Sequence, residues 1–318
     1  MLNVSIAPRV TWTGIYGAFN FRDWPISAVS DCHSIRLILR TLVAVDGTQM
    51  QEIDIKTWEE FEDQISRRLA RQTAKSSCVS GYLFRGQSDS AWTLATTLER
   101  FTNRLLTMEE YYRILLKAKP QIETFTGATW NEMPDLSEYM KSIGNGFSPV
   151  VNYPGFEYAV YVRHLGFPSP LLDWTRSPYI AAYFAFREVG STAKIVSIYA
   201  FCEYTEKIKL GSVSDPKISG FGQYVHSHRR HFQQQSQYTI CTKHVDGKHC
   251  YATHEDVFAD NRSDQDELSK FNIPSSERPK FLKRLEQYNI NAFSLFGSAE
   301  SLMETLSLNE IYLVSCSS

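Results

Sequence analysis

The sequence has no Cys-x-x-Cys pair, and its six cysteines (Cys32, Cys78, Cys202, Cys241, Cys250 and Cys316) stand far apart. Zinc ribbons and compact disulfide frameworks need closely and regularly spaced thiols, so both are excluded. The expectation is free thiols in a reducing cytoplasm. A surplus of one charge is missing too. The 33 basic and 35 acidic residues leave a net charge of -2, so no bulk field draws in nucleic acid or an anionic membrane. The apolar run at 179–186 is too short to cross a bilayer. The opening MLNVSIAPRVTW lacks the basic-then-apolar layout of a signal peptide. Also absent are GxGxxG, a Walker A run, HExxH and GxSxG, which removes the commonest nucleotide-binding, metalloprotease and hydrolase signatures. There is no internal repeat and no low-complexity tract.

What is present is core. A 318-residue chain that is 43% hydrophobic and 13% aromatic can bury one large interior or two ordinary ones. Residues 1–55 read as a β-rich segment, with a strand over 36–47 that ends on an Asp-Gly turn signal. Residues 56–255 form the core unit, and 256–318 a C-terminal helical segment packed on it. Trp58, Phe61, Ile65 and Leu69 make one apolar helical stripe behind a Thr57 N-cap, with Arg67, Arg68, Arg71 and Lys75 on the solvated side. A strand follows at 82–85. Thr107 and Glu110 form a capping box that starts a helix expected to stop near Pro120. The stretch 123–154 reads as a long loop with one helical turn, the kind of segment that serves as a lid.

Further helices are expected over 156–164, and from Ser177-Pro178 to a point before Gly190. AKIVSIYAF and SQYTICT read as strands, and 246–267 as a polar loop. Phe281, Leu282, Leu285 and Tyr288 mark an amphipathic helix. A Ser301/Glu304 box lies in the next helical stretch, and EIYLVS reads as a last strand. The mixed order predicts an α+β fold.

Three places gather chemistry. Arg85 ends the apolar run Tyr82-Leu83-Phe84, and its planar fork of donors suits phosphate or carboxylate. Gly86 beside it permits close backbone approach, and Gln87 adds an amide. The plain alternative is an Arg85 paired to a structural Asp or Glu. In LLDWTRSPYIAAYFA, Asp173, Thr175, Arg176 and Ser177 sit where an apolar run meets a helix start, a natural place for an anion. The plain alternative there is that Ser177 caps the helix while Asp173 holds Arg85 or Arg176. His164 and Tyr161 precede them; His164 serves either the helix end or a ligand. HSHRRHF (His226, His228, Arg229, Arg230, His231) has no ordered metal-ligand spacing, and Gln233, Gln234 and Gln235 are placed at the start of a strand.

The motifs YLFRGQSDSAWTLATTLER and RHLGFPSPLLDWTRSPYIAAYFAF closely resemble those of the FRG-domain family, which pairs Phe-Arg-Gly with His-x-Gly-x-Pro and Leu-Leu-Asp-Trp-Thr. Here these are Phe84-Arg85-Gly86, then His164, Gly166, Pro168 and the run 171–175. RRHFQQQSQYTI is similar to the family's Arg and Gln-Gln-Gly-x-Phe-Thr stretch, at Arg230, Gln234, Gln235, Tyr238 and Thr239. FLKRLEQYNINAFSLFGSAESL is similar to its C-terminal helix. Three departures stand out: Pro170 replaces a usual arginine, Arg163 a frequent glutamine, and Ser236 a glycine. They imply one cation fewer beside Asp173.

The order of parts is also similar to that of ADP-ribosyltransferases. That likeness implies a mixed β-sheet core with flanking helices and NAD as substrate. It implies Arg85, His164, Asp173 and Gln234 as the catalytic set, with Arg85, Gly86, Gln87, Thr175, Arg176, Ser177 and Arg230 binding the nucleotide. The catalytic glutamate of those enzymes has no counterpart; Gln234 falls near its place, and Asp173 is the alternative carboxylate. The implied activity is ADP-ribosyl transfer to a protein or nucleic-acid acceptor, or NAD hydrolysis, in a cytoplasmic toxin or anti-phage defence effector. The alternative is a non-enzymatic nucleotide- or nucleic-acid-binding module, with Trp92 and Trp174 offering rings to a base. A nuclease using Asp173 and the histidines ranks last. All require Arg85, His164, Asp173 and Gln234 on one concave surface.

Overall fold

The computed structural model describes residues 50–74, 80–130, 133–144, 153–188, 192–203, 214–222, 229–258 and 266–316. The strand expected at 36–47, Lys75, His226 and His228 lie outside them.

One mixed sheet organises the described residues. Its strands are β1 (Gln51–Asp54), β2 (Leu83–Gln87), β3 (Leu172–Thr175), β4 (Ile195–Cys202), β5 (Lys217–Phe221), β6 (Ser236–Val245), β7 (Lys248–Tyr251) and β8 (Glu267–Pro274). Their order is β1-β8-β4-β2-β3-β6-β5, with β7 added on β6. β1 runs parallel to β8, and the other pairs are antiparallel. The α+β expectation therefore holds. The C-terminal segment is more than helical, because its β8 sits between β1 and β4.

Three helices cover one face around β2: α1 (Trp58–Ala74), α6 (Pro178–Phe186) and α8 (Arg278–Gln287). Trp58, Phe61, Phe84, Phe186, Phe271 and Phe281 meet there in one apolar cluster, each contributing about 1.5–3 kcal/mol by leaving water. Ser177 accepts a hydrogen bond from the Ile180 N–H and Pro178 takes the first helical position, as the sequence predicts. α6 is apolar almost all round and accordingly buried almost all round. A second cluster joins β6 to α3 (Met108–Thr126), α4 (Leu136–Gly144) and α5 (Phe156–His164). A third, on the other face of β2–β4, holds Trp174, Tyr199 and Phe201. Among the described residues, the other α-helices of five residues or more are α2 (Thr97–Phe101), α7 (Arg229–Gln233), α9 (Ala292–Phe296) and α10 (Ala299–Ser307).

Several expectations are corrected. α3 starts at the Thr107/Glu110 box but passes through Pro120, and it stops where Gly127 adopts a left-handed φ of 70°. Packing of Ile122 and Trp130 on the second cluster offsets the propensity cost of the proline. α4, with 9 residues, is longer than the one helical turn expected within 123–154. Arg68 is buried, not solvated: it donates to Ser269 Oγ at 3.0 Å and lies 4.6 Å over the Phe271 ring. β7 forms within the expected polar loop. Ser298 with Ser301, not Ser301 with Glu304, makes the cap of α10. EIYLVS is helical, a π turn at Leu308–Tyr312 running into Leu313–Ser315. Short apolar runs fit strand and helix alike, so periodicity could not decide it.

Candidate functional site

β2 and β3 share a single registered pair, Phe84 with Thr175, and part beyond it. A cavity of about 720 Å³ lies at the parting. Arg85, Gly86 and Gln87 line it from β2, and Asp173 and Thr175 from β3. His164 at the end of α5 and Gln234 before β6 also reach it. The four residues expected to converge therefore do so.

Alternation along β2 explains the Phe-Arg-Gly triplet. Phe84 and Gly86 point to the helical face and Arg85 to the opposite one. Phe84 is fully buried. Gly86 is a matter of packing, not of ligand approach: a Cβ there would lie 1.9 Å from Ala181 O and 2.6 Å from Ala185 N, both backbone atoms of α6. Gln87 donates Nε2 to Thr93 O at 3.0 Å and so ties down the turn after β2.

Arg85 donates Nη1 to the backbone carbonyl of Asp173 at 2.8 Å, and its buried Nε has no partner among the described residues. Burial pushes its pKa down to about 10; Asp173 opposes that, while Arg163 and Arg100 add to it. It is still cationic at neutral pH. The Asp173 carboxylate is taken by Arg163, which donates Nε to Oδ1 and Nη2 to Oδ2, and Nη1 to Thr97 Oγ1 at 2.9 Å. Burial would raise the Asp173 pKa, but the Arg163 pair outweighs it, with smaller help from Arg85 and His164, and holds the carboxyl below its usual range. The Arg163 side chain is 7% exposed, whereas 41% of the Asp173 side chain stays open; Asp173 lies on the cavity wall with protein packed around it. Arg163 thus supplies the cation that Pro170 does not. The expectation of one cation fewer beside Asp173 is corrected.

His164 Nε2 and the Tyr238 hydroxyl are hydrogen-bonded at 2.8 Å. Gln234 donates Nε2 to Leu295 O at 3.2 Å. The glutamine triplet does not open a strand: Gln233 ends α7, Gln235 turns with φ 48°, and β6 begins at Ser236. Thr175 Oγ1 accepts from the Ser177 N–H at 3.1 Å.

Three expected binding residues fall elsewhere. Ser177 caps α6 and does not line the cavity. Arg176, one residue past the end of β3, is exposed and borders a separate hollow with Glu203 and Gln237. Arg230 sits 5.3 Å over the Phe296 ring. Of the two tryptophans, Trp92 lines the cavity and is exposed, while Trp174 is buried and stacked on Phe201 at 5.3 Å.

Sequence reasoning missed Arg100 and Glu188, which also line the cavity. Glu188 accepts from Ser88 Oγ at 3.0 Å. It follows α6 outside every motif, so no local pattern marked it. Arg163 had a signal, as a departure from the family pattern, but its target did not.

Among the described residues, no group of three or more His, Cys, Asp or Glu side chains is placed to hold a metal ion, and no helix is long and apolar enough to cross a membrane. No curated protein and no solved structure matches the chain. One family model does, the FRG domain, over residues 80–194; the RRHFQQQSQYTI stretch and the C-terminal helix lie beyond that match. The matched span holds Phe84-Arg85-Gly86, His164 and Asp173, so the chain carries an FRG domain over residues 80–194.

Proposed function

We propose that the cavity where β2 and β3 part binds NAD, and that the protein consumes it as an ADP-ribosyltransferase or NAD glycohydrolase. The observation that carries this reading is the state of Arg85. Its guanidinium stands on the cavity wall against a backbone carbonyl, because the adjacent carboxylate is committed to Arg163. A cation left without a carboxylate is suited to an external anion, and a pyrophosphate matches its fork. The cavity volume is in the range of small-molecule sites, and the exposed Trp92 ring offers a stacking surface for a base.

Breaking the bond between nicotinamide and ribose builds positive charge on the ribose, which a carboxylate stabilises. Asp173, held by Arg163, is poorly suited to that task. Glu188 lines the same cavity and accepts from the Ser88 hydroxyl, while the guanidinium of its neighbour Arg187 is hydrogen-bonded to Glu304. In this reading Glu188 faces the ribose, nicotinamide leaves, and water or a macromolecular acceptor attacks. Loss of cellular NAD would account for action as a toxin or defence effector.

Release of free nicotinamide from NAD tests the reading. Arg85→Ala is expected to weaken NAD binding roughly 10- to 100-fold, the worth of a charge-assisted hydrogen bond. Glu188→Gln is expected to slow release while NAD still binds. A protein that neither binds NAD in calorimetry nor releases nicotinamide overturns the proposal. The second reading, a nucleotide-binding module without turnover, is favoured by the commitment of Asp173 to Arg163 and by the amide at Gln234. It predicts binding that falls with salt and no nicotinamide release.

A further inference from the structure

A second cavity, of about 830 Å³, is walled by the end of α6, by α8 and by the chain from α10 onward. Most of its wall comes from residues after 277, beyond the family match. It shares Phe184 and Glu188 with the first cavity, so the two lie side by side. Its volume is in the range of small-molecule sites.

The wall is apolar with a few charges set in it. Phe184, Leu282, Leu308 and Ile311 supply the apolar surface. Leu308, Ile311 and Tyr312 belong to the π turn that continues α10, and such turns are rare and recur at functional sites. Ile311 is 69% exposed, and a ligand lying against it would take that surface out of water.

The charges do not cancel evenly. Arg187 donates Nε and Nη2 to the Glu304 carboxylate, each at 2.7 Å, and the Tyr183 hydroxyl donates to the same group at 3.1 Å. That pair is neutral within itself. Glu188 accepts from Ser88, a residue of the first cavity. Arg278 donates Nε to Phe186 O at 2.7 Å and Nη2 to Arg187 O at 3.2 Å, and lies 4.3 Å over the Tyr312 ring. Its partners are carbonyls and a ring face, which offset only part of a full charge. Among the described residues no carboxylate pairs with Arg278 and no hydrogen bond takes its Nη1.

We propose that this cavity binds a small aromatic molecule carrying one anionic group, its rings against Leu282, Leu308 and Ile311 and its anion against Arg278. One uncompensated cation in an apolar wall suits a monoanion and not the several charges of a nucleotide. The site is separate from the NAD reading, which uses none of these four residues.

Binding of 8-anilinonaphthalene-1-sulfonate to the whole chain, read by its fluorescence, is the test. N-phenyl-1-naphthylamine, the same skeleton without the sulfonate, is the neutral comparison. The sulfonate probe is expected to bind at one saturable site, about 10-fold more tightly than the neutral one. Ile311→Glu, at an exposed position, is expected to weaken the sulfonate probe about 10-fold while the circular dichroism spectrum stays that of the wild type. Arg278→Met is expected to bring the two probes to similar affinity; retained binding of the neutral probe reports an intact cavity. Arg85→Ala is expected to change neither, because Arg85 lines only the first cavity. Sulfonate binding that is lost in Arg85→Ala but kept in Ile311→Glu overturns the proposal, as does binding that does not saturate or equal wild-type affinity for the two probes. Nicotinamide release plays no part in this measurement, so its outcome and that of the NAD test are read apart.

Discussion

Gly86→Ala is expected to cost about 3 kcal/mol or more and to reduce the yield of folded protein sharply. The added methyl would meet Ala181 O at 1.9 Å and Ala185 N at 2.6 Å. Both are backbone atoms of a helix buried on nearly every side, so no side chain can swing away. Relief requires α6 to move off β2 as a body, and overpacking of that kind is at the severe end of core substitutions. Urea unfolding followed by far-ultraviolet circular dichroism measures the cost. Gly127→Ala is a suitable control, because its Cβ would meet nothing within 4 Å and the left-handed φ costs only about 1–2 kcal/mol. Equal midpoints for wild type and Gly86→Ala would show that the β2–α6 contact is not closely packed.

The second large effect is expected of Arg163→Ala. Removing one partner of a buried ion pair strands the other charge, at a cost of about 3–5 kcal/mol when both are enclosed. Part of the Asp173 side chain is open to the cavity, so about 2–3 kcal/mol is expected after solvent screening. Its pH dependence has a definite sign. The folded-state pKa of Asp173 lies below its ordinary value, so the stability it contributes is complete above about pH 4 and is lost as pH falls through the folded pKa. The gap between wild type and Arg163→Ala should therefore be full at neutral pH and shrink in acid. The released carboxylate would also be free to turn to Arg85, whose charge it would cancel, so NAD affinity is expected to fall although Arg163 need not touch the ligand. Unfolding midpoints that differ by the same amount at neutral and acid pH would rule out the ion pair as the cause.

Much of the site was legible because its residues sit at marked points of local structure. Arg85 follows a short apolar strand, Ser177-Pro178 announces a helix start, and His164 comes just before the Gly166 that ends α5. Each is governed by neighbours within about four residues, which is the range of caps and strand alternation. The errors have a different origin. Arg68 was assigned to solvent from its place on a helical wheel, yet β8, some two hundred residues later, covers that side of α1. The glutamine triplet was extended into β6, but a left-handed turn at Gln235 separates them. Glu188 falls at the end of the helix expected to run to a point before Gly190, but the helix stops at Phe186 and no motif marks the position.

The sequence by itself determined the α+β class, the FRG motifs and the presence of an arginine at the end of a short strand. Tertiary structure decided which guanidinium Asp173 would satisfy, why Gly86 must be glycine, and where β2 and β3 separate. Caps and side-chain alternation depend on a few adjacent residues, so they can be read from order. An ion pair, a close approach of two backbones or an opening between strands depends on atoms brought together from remote parts of the chain, and no local pattern encodes which atoms those will be.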